Sequence, residues 1–180
     1  MFLLPILAFI ALAAGVIVVF RGTGQIAARS RELQLYRGQV KDLAARTDEL
    51  LGAAAGKIDA VRHQQAEADS ISMTIAETAE ALQRLCEEAR GWTPPRHAQT
   101  VSDDIVAELE RAVRALAMVE HGTVILAMPR HGGPDVEAEL SIKRGYLNLV
   151  HAREAIARHA LRAQGMVVDE TLAGRTGPDV

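Results

Sequence analysis

Apolar and polar positions alternate with several different periods along this chain, and the first stretch has no period at all. Residues 2–20 form one run without a single charge. As a helix rising about 1.5 Å per residue, that run covers about 28 Å, the thickness of a bilayer's hydrocarbon layer. A secretory signal wants a basic lead, a shorter apolar core and small residues before the cut. No basic residue precedes this run, and bulky apolar residues follow its Ala-Leu-Ala-Ala stretch at 11–14. The pattern predicts a retained transmembrane anchor over 1–21, meeting the bilayer through residues 2–20. Arg21, Arg29, Arg31, Arg37, Lys41 and Arg46 follow it, against Glu32 and Asp42. The cation-rich flank stays inside, so the N-terminus is expected outside and the body in the cytoplasm. Those cations either rest on anionic headgroups or form a solvated helix face. Gly22 and Gly24 predict a flexible joint. "GTGQ" is no phosphate loop, because no strand precedes it.

From Ile26 the pattern becomes helical and long. Seam positions at Leu33, Tyr36, Val40, Leu43, Thr47, Leu50 and Ala54 continue through Ile58, Val61, Gln65, Ala68 and Ser72. They run on to Ile75, Ala79, Leu82, Cys86 and Ala89. The steps alternate three and four, as a heptad seam requires, apart from two successive fours between Gly52 and Gly56. Such a stutter unwinds a supercoil locally without ending the helix. The spacing predicts one continuous helix to residue 90; the alternative makes "LGAAAGK" a turn between two helices. Arg90-Gly91 reads as a last-turn cation and a C′ glycine, and Pro94-Pro95 prevents continuation.

Thr100 or Ser102 is expected to cap the next helix, with Asp103 and Asp104 in its first turn. That helix buries Ile105, Leu109, Ala112, Leu116, Val119 and Leu126 and stops by Pro129, with Gly122 marking a kink. His131-Gly-Gly-Pro-Asp135 predicts a turn, capped by Asp135 into a last helix. The last stripe is Ile142, Tyr146, Leu149, Ala152, Ile156, Ala160 and Ala163. Leu140, Leu147, Val150 and Leu161 flank it, which is the width of a core helix. Gly165 closes it.

Composition supports helix throughout. Aromatics are 3% of residues, whereas strands favour aromatic and β-branched side chains. The expected fold class is all-α: an N-terminal transmembrane helix, a long stalk helix over 22–60, an antiparallel three- (or four-) helix bundle over 61–165, and a flexible tail over 166–180. Arginine far outnumbers lysine, a bias of GC-rich bacterial genomes; with the anchor and its charged flank, the expected location is a bacterial cytoplasmic membrane. One cysteine cannot form an internal disulfide and suits a reducing compartment.

Net charge is −3, which excludes a strongly basic nucleic-acid binder. The charge is divided by segment. Residues 67–90 and 103–120 are rich in acids, while residues 141–165 carry Lys143, Arg144, Arg153, Arg158 and Arg162 against Glu154 alone. A basic helix packed between two acidic ones is complementary. Acid-to-base pairs at i,i+4 recur at Asp42–Arg46, Glu80–Arg84, Glu110–Arg114, Glu139–Lys143 and Glu154–Arg158. Each contributes only about 0.2–0.5 kcal/mol, so apolar packing must hold the helices together. The basic helix 143–162 is also the one segment suited to an external anionic partner or lipid.

No constellation for chemistry emerges. His151 and His159 lie about 12 Å apart along one helix, too far to share an ion. His121 and His131 have no carboxylate at ligand spacing between them. Cys86 lies on the seam beside Glu87 and Glu88, which raise a thiol's pKa and make it inert. No HExxH, CxxC or GxSxG occurs. No catalytic, cofactor-binding or metal-ligating residue is assigned, no cofactor is expected, and the chain is not expected to be an enzyme.

"LAARTDELL", with Arg46 and Asp48, and "LVHAR", Leu149 to Arg153, resemble segments of the LemA family. The Pro-Asn usual after the first segment and the Tyr-Asn pairs usual after the second are absent. The short anchor, long first helix and all-helical remainder resemble that family's architecture over most of the chain. The resemblance implies a cytoplasmic helical bundle and supplies no catalytic residues. The expected function is a single-pass, membrane-anchored interaction or scaffolding module with a protein partner. The alternative is a dimeric coiled-coil transmitter that forms a homo-oligomer through the stalk.

Overall fold

The computed structural model describes the backbone of residues 3–127 and 135–167, and side chains from residue 28 onward except those of residues 68, 69 and 135. Four α-helices occur among the described residues: α1 (Leu3–Arg62), α2 (Ser72–Arg90), α3 (Gln99–Ala127) and α4 (Asp135–Gly165). Short 3₁₀ turns at Ala68–Ile71 and Arg96–Ala98 precede α2 and α3, and no strand is present among the described residues. The all-α expectation is met. Among the described residues no helix is long and apolar enough to cross a membrane. The side chains of the apolar run 2–20 lie outside the described residues, as do residues 131–134 of the expected turn and the tail beyond Val167, while Asp135 opens α4.

The backbone of α1 is helical through Gly22 and Gly24, where a joint was expected. It is also helical from Gly52 through Gly56, so the turn alternative fails there. Yet the continuous helix to residue 90 fails too, because α1 ends at Arg62. Gln65 N–H donates to the Ala60 carbonyl (2.8 Å) and Gln64 N–H to that of Val61 (3.0 Å). With Gln64 at φ 56°, this is a Schellman motif, closed by a glutamine where glycine is usual. The seam is weak there because Gln65 is exposed in the connection and Ser72 is exposed at the start of α2. The break converts the three-helix expectation into four helices.

Residues 37–166 form one compact unit, and residues 3–36 of α1 belong to another. The stalk expected over 22–60 is thus, from Arg37 on, a wall of the bundle. Polar contacts give the helix order within this unit. Arg46 donates to Glu88, joining α1 to α2, and Arg90 donates to Glu110, joining α2 to α3. Ser141 Oγ donates to the Met118 carbonyl, joining α4 to α3 (2.8 Å). Gln164 donates to the Arg37 carbonyl, and Arg153 to Asp48, joining α4 to α1. Arg46–Glu88 and Gln164–Arg37 set the start of one helix in the unit against the end of its neighbour, as in an up-down-up-down four-helix bundle.

Its core follows the apolar stripes. Val40, Leu43, Thr47, Leu51, Ala54, Ile58 and Val61 are buried along α1, with Leu51 rather than Leu50 inward. Two successive four-residue steps therefore fall at Leu43–Thr47–Leu51, one turn before the glycines. Ile75, Leu82, Cys86 and Ala89 face them from α2. Helix α3 contributes Ile105, Leu109, Ala112, Leu116 and Val119, and α4 contributes Ile142, Leu149, Ala152, Ile156 and Ala163.

Gly122 is no kink, since α3 runs unbroken to Ala127. Gly122 and Gly145 are instead reciprocal close approaches. A Cβ on Gly122 would lie 2.8 Å from the Ala138 carbonyl oxygen and 2.6 Å from Ile142. One on Gly145 would lie 2.7 Å from the Ala115 oxygen and 2.6 Å from Val119. Each helix thus presses its backbone into a gap that only glycine leaves in the other.

Candidate interaction surface

Sequence candidates for chemistry are scattered by this arrangement. His97, His121 and His151 are exposed, His63 lies 3.6 Å from Asp59 on its own helix, and half-buried His159 lies 3.6 Å from Asp104. His131 lies outside the described residues. Among the described residues no group of His, Cys, Asp or Glu side chains is placed to hold a metal ion. Cys86 is buried between α2 and α3, and burial pushes its thiol pKa up. A neutral, enclosed thiol is a poor nucleophile.

The basic helix spends part of its charge internally. Arg153 reaches Asp48 of α1 at 2.6 Å, its guanidinium lying against the backbone at Gly52, where a Cβ would be 3.4 Å away. This contact holds the Asp48 carboxyl below its usual pKa and Arg153 above its own. Arg162 lies 3.8 Å from Asp104 of α3. The acidic partners of α4 are therefore α3 and α1, not α3 and α2. The square arrangement puts α2 diagonally across from α4, and Glu88 of α2 is taken by Arg46, which also holds Asp42 at 2.9 Å. The i,i+4 pairs Glu80–Arg84, Glu110–Arg114 and Glu154–Arg158 are in place as expected, at 3.6 to 3.9 Å. Lys143 and Arg144 remain on the exposed face.

The start of α3 also differs from expectation. It begins at Gln99, straight from the 3₁₀ turn after Pro95, so Thr100 and Ser102 lie inside it and Ser102 is buried. Asp103 moves into the second turn, where it accepts a hydrogen bond from Gln99 (2.9 Å). At the other end of α2, Gly91 keeps right-handed geometry at φ −75°, so the prolines rather than a left-handed glycine stop that helix.

What remains unclaimed is apolar surface. Leu140, Leu147 and Leu161, expected to widen the core stripe of α4, are 45%, 45% and 72% exposed, and Val136 is 70% exposed. Met118 of α3 adds to them, and a groove of about 520 Å³ runs between Met118, His121, Val136 and Leu140. A second groove of about 650 Å³ lies between α1 and α2, floored by Leu50, Ala53, Ala81 and Leu85 and rimmed by Arg46, Glu49, Arg84 and Glu88. Scattered exposed apolar residues need no explanation, but aligned ones on one helix face do. Leu140, Leu147 and Leu161 are spaced by multiples of seven residues, on the face roughly opposite the core stripe. No protein-family model, curated protein or solved structure matches the chain.

Proposed function

We propose that this chain is a single-pass, membrane-anchored module whose four-helix bundle works by contact with other proteins on the cytoplasmic side of a bacterial membrane. One observation carries the reading: residues 3–20 of the uncharged run and the first bundle helix belong to a single helix, α1. A chain so built brings an apolar segment of bilayer length together with a water-facing bundle. The exposed apolar face of α4 and the groove between α1 and α2 give such a module surfaces to bind with. The LemA-like segments at Arg46–Asp48 and Leu149–Arg153 agree with it. In this structure Asp48 and Arg153 pair with each other.

Fractionation of tagged protein tests the anchor. Recovery in the membrane pellet, released by detergent and not by salt or carbonate, is expected; a freely soluble protein after cell breakage overturns the reading. Protease added outside intact cells tests orientation, with the bundle expected to survive.

A further inference from the structure

The exposed face of α4 carries a second heptad seam. Val136, Leu140, Leu147, Val150, Ala157 and Leu161 follow one another at alternating three- and four-residue steps once Lys143 and Glu154 are included in the same line. Of these, Val136, Leu140, Leu147 and Leu161 are among the most exposed large apolar side chains of the protein. Helical geometry puts Leu140, Leu147, Glu154 and Leu161 roughly opposite the core stripe of Ile142, Leu149 and Ile156, and Lys143, Val150 and Ala157 about 100° round from it, so α4 carries a second apolar face that its own bundle leaves mostly uncovered. A stripe of this period is what a second helix covers, and at about 1.5 Å per residue it offers roughly 38 Å of contact.

The two charges identify that second helix. Lys143 and Glu154 stand at equal distances from the midpoint of the stripe, which falls between Asn148 and Leu149. We propose that the covering helix is α4 of a second copy of this chain, antiparallel to the first across a two-fold axis at that midpoint. In that register Lys143 meets Glu154 of the second copy, and Glu154 meets its Lys143. Val136 meets Leu161, Leu140 meets Ala157, and Leu147 meets Val150. Beside the seam, Glu137 comes opposite Arg158, while Arg144 opposite His151 adds nothing attractive. Glu154 is held on its own helix only by Arg158 at 3.9 Å, and both side chains are about two-thirds exposed, so both are available to new partners.

Parallel pairing of the same face fails by the same reasoning, since it sets Lys143 on Lys143 and Glu154 on Glu154. A lipid surface fits poorly as well. An interfacial helix sets cations at the edges of its apolar face, whereas this one has Glu154 within the stripe and Glu137 beside it. Two-fold self-complementarity is the property of an isologous interface, which the same patch forms with itself.

The test is a charge-swap cycle on the full chain in detergent, followed by sedimentation equilibrium. Wild type is expected to be a dimer. Lys143→Glu or Glu154→Lys alone sets like charges together twice, and each is expected to weaken dimerisation at least roughly tenfold. The double variant restores the pairs and is expected to return to near wild-type affinity. Circular dichroism on all four proteins separates lost association from lost folding. Disulfide trapping fixes the direction: Lys143→Cys chains mixed with Glu154→Cys chains should cross-link, while Lys143→Cys alone should not. Buried Cys86 stays in place as a silent thiol. A monomeric wild type overturns the proposal. So does a dimer indifferent to the single swaps, as expected if the stalk or a lipid-covered face drives association, and so does trapping by Lys143→Cys alone.

Discussion

At Gly122 and Gly145 the absent side chain is replaced by the neighbouring helix's carbonyl oxygen, which has no freedom to step aside. Gly56, by contrast, faces open space within α1. The same substitution should therefore act in opposite directions. Gly56→Ala is expected to stabilise the bundle by about 1 kcal/mol through helix propensity. Gly145→Ala is expected to destabilise it by about 1–3 kcal/mol, the usual cost of overpacking. Urea denaturation of the two variants checks both signs. Gln64 is a third case, a side-chain-bearing residue in the left-handed region. Gln64→Gly is expected to stabilise by about 1 kcal/mol, and an unchanged or lowered midpoint contradicts the strain assigned to it. In the sequence each of these glycines is only a helix-weakening residue. Whether it weakens or fits is decided by the partner helix, which a linear pattern does not contain.

Among the elements, the helix stripes were readable and the breaks were not. Val40 to Val61, Ile105 to Val119 and Ile142 to Ala163 are buried at the spacing their pattern predicts, because a 3.6-residue period has one inward face whatever it packs against. The end of α1 escaped because "RHQQAEADS" contains neither glycine nor proline, and a backbone motif closes the helix there. The glycine-rich stretch that invited a turn serves α4 instead, by letting Arg153 lie across α1 to Asp48. That link titrates. Asp48 has a lower pKa folded than unfolded, so its contribution is present above the usual carboxylate range and is lost as pH falls through the folded value. Arg153→Ala should cost about 1 kcal/mol or less at neutral pH, since both side chains are substantially exposed. The difference from wild type should shrink as the pH is lowered below that range. A gap that is constant with pH would mean that Arg153 acts through packing alone.

For the molecule as a whole, the fourth helix of the bundle comes from a break after Arg62, where the sequence pattern predicts a continuous helix and offers a turn only at Gly52–Gly56. The fold class was legible because composition excludes strands; the exposed face of α4 was not, because leucine at a helix face reads as core until a neighbour is shown to be missing. If two copies pair through that face, their Arg37 ends lie at opposite ends of the pair, so two copies anchored in one bilayer pair only with the two-fold axis along the membrane normal. Hydrogen exchange supplies a check on how stability is distributed: the slowest amides are expected in α3 and α4 around Ala115, Gly122 and Gly145, ahead of those near residues 60–72. The interlocking glycines carry one more consequence. Sliding α4 along α3 by a single turn would drive Ile142 or Val119 into a residue that bears a Cβ, so this pair has one register and cannot work as a piston. Among the described glycines no other is met so closely. Any motion that carries a signal along α3 and α4 must then move these two helices as one block.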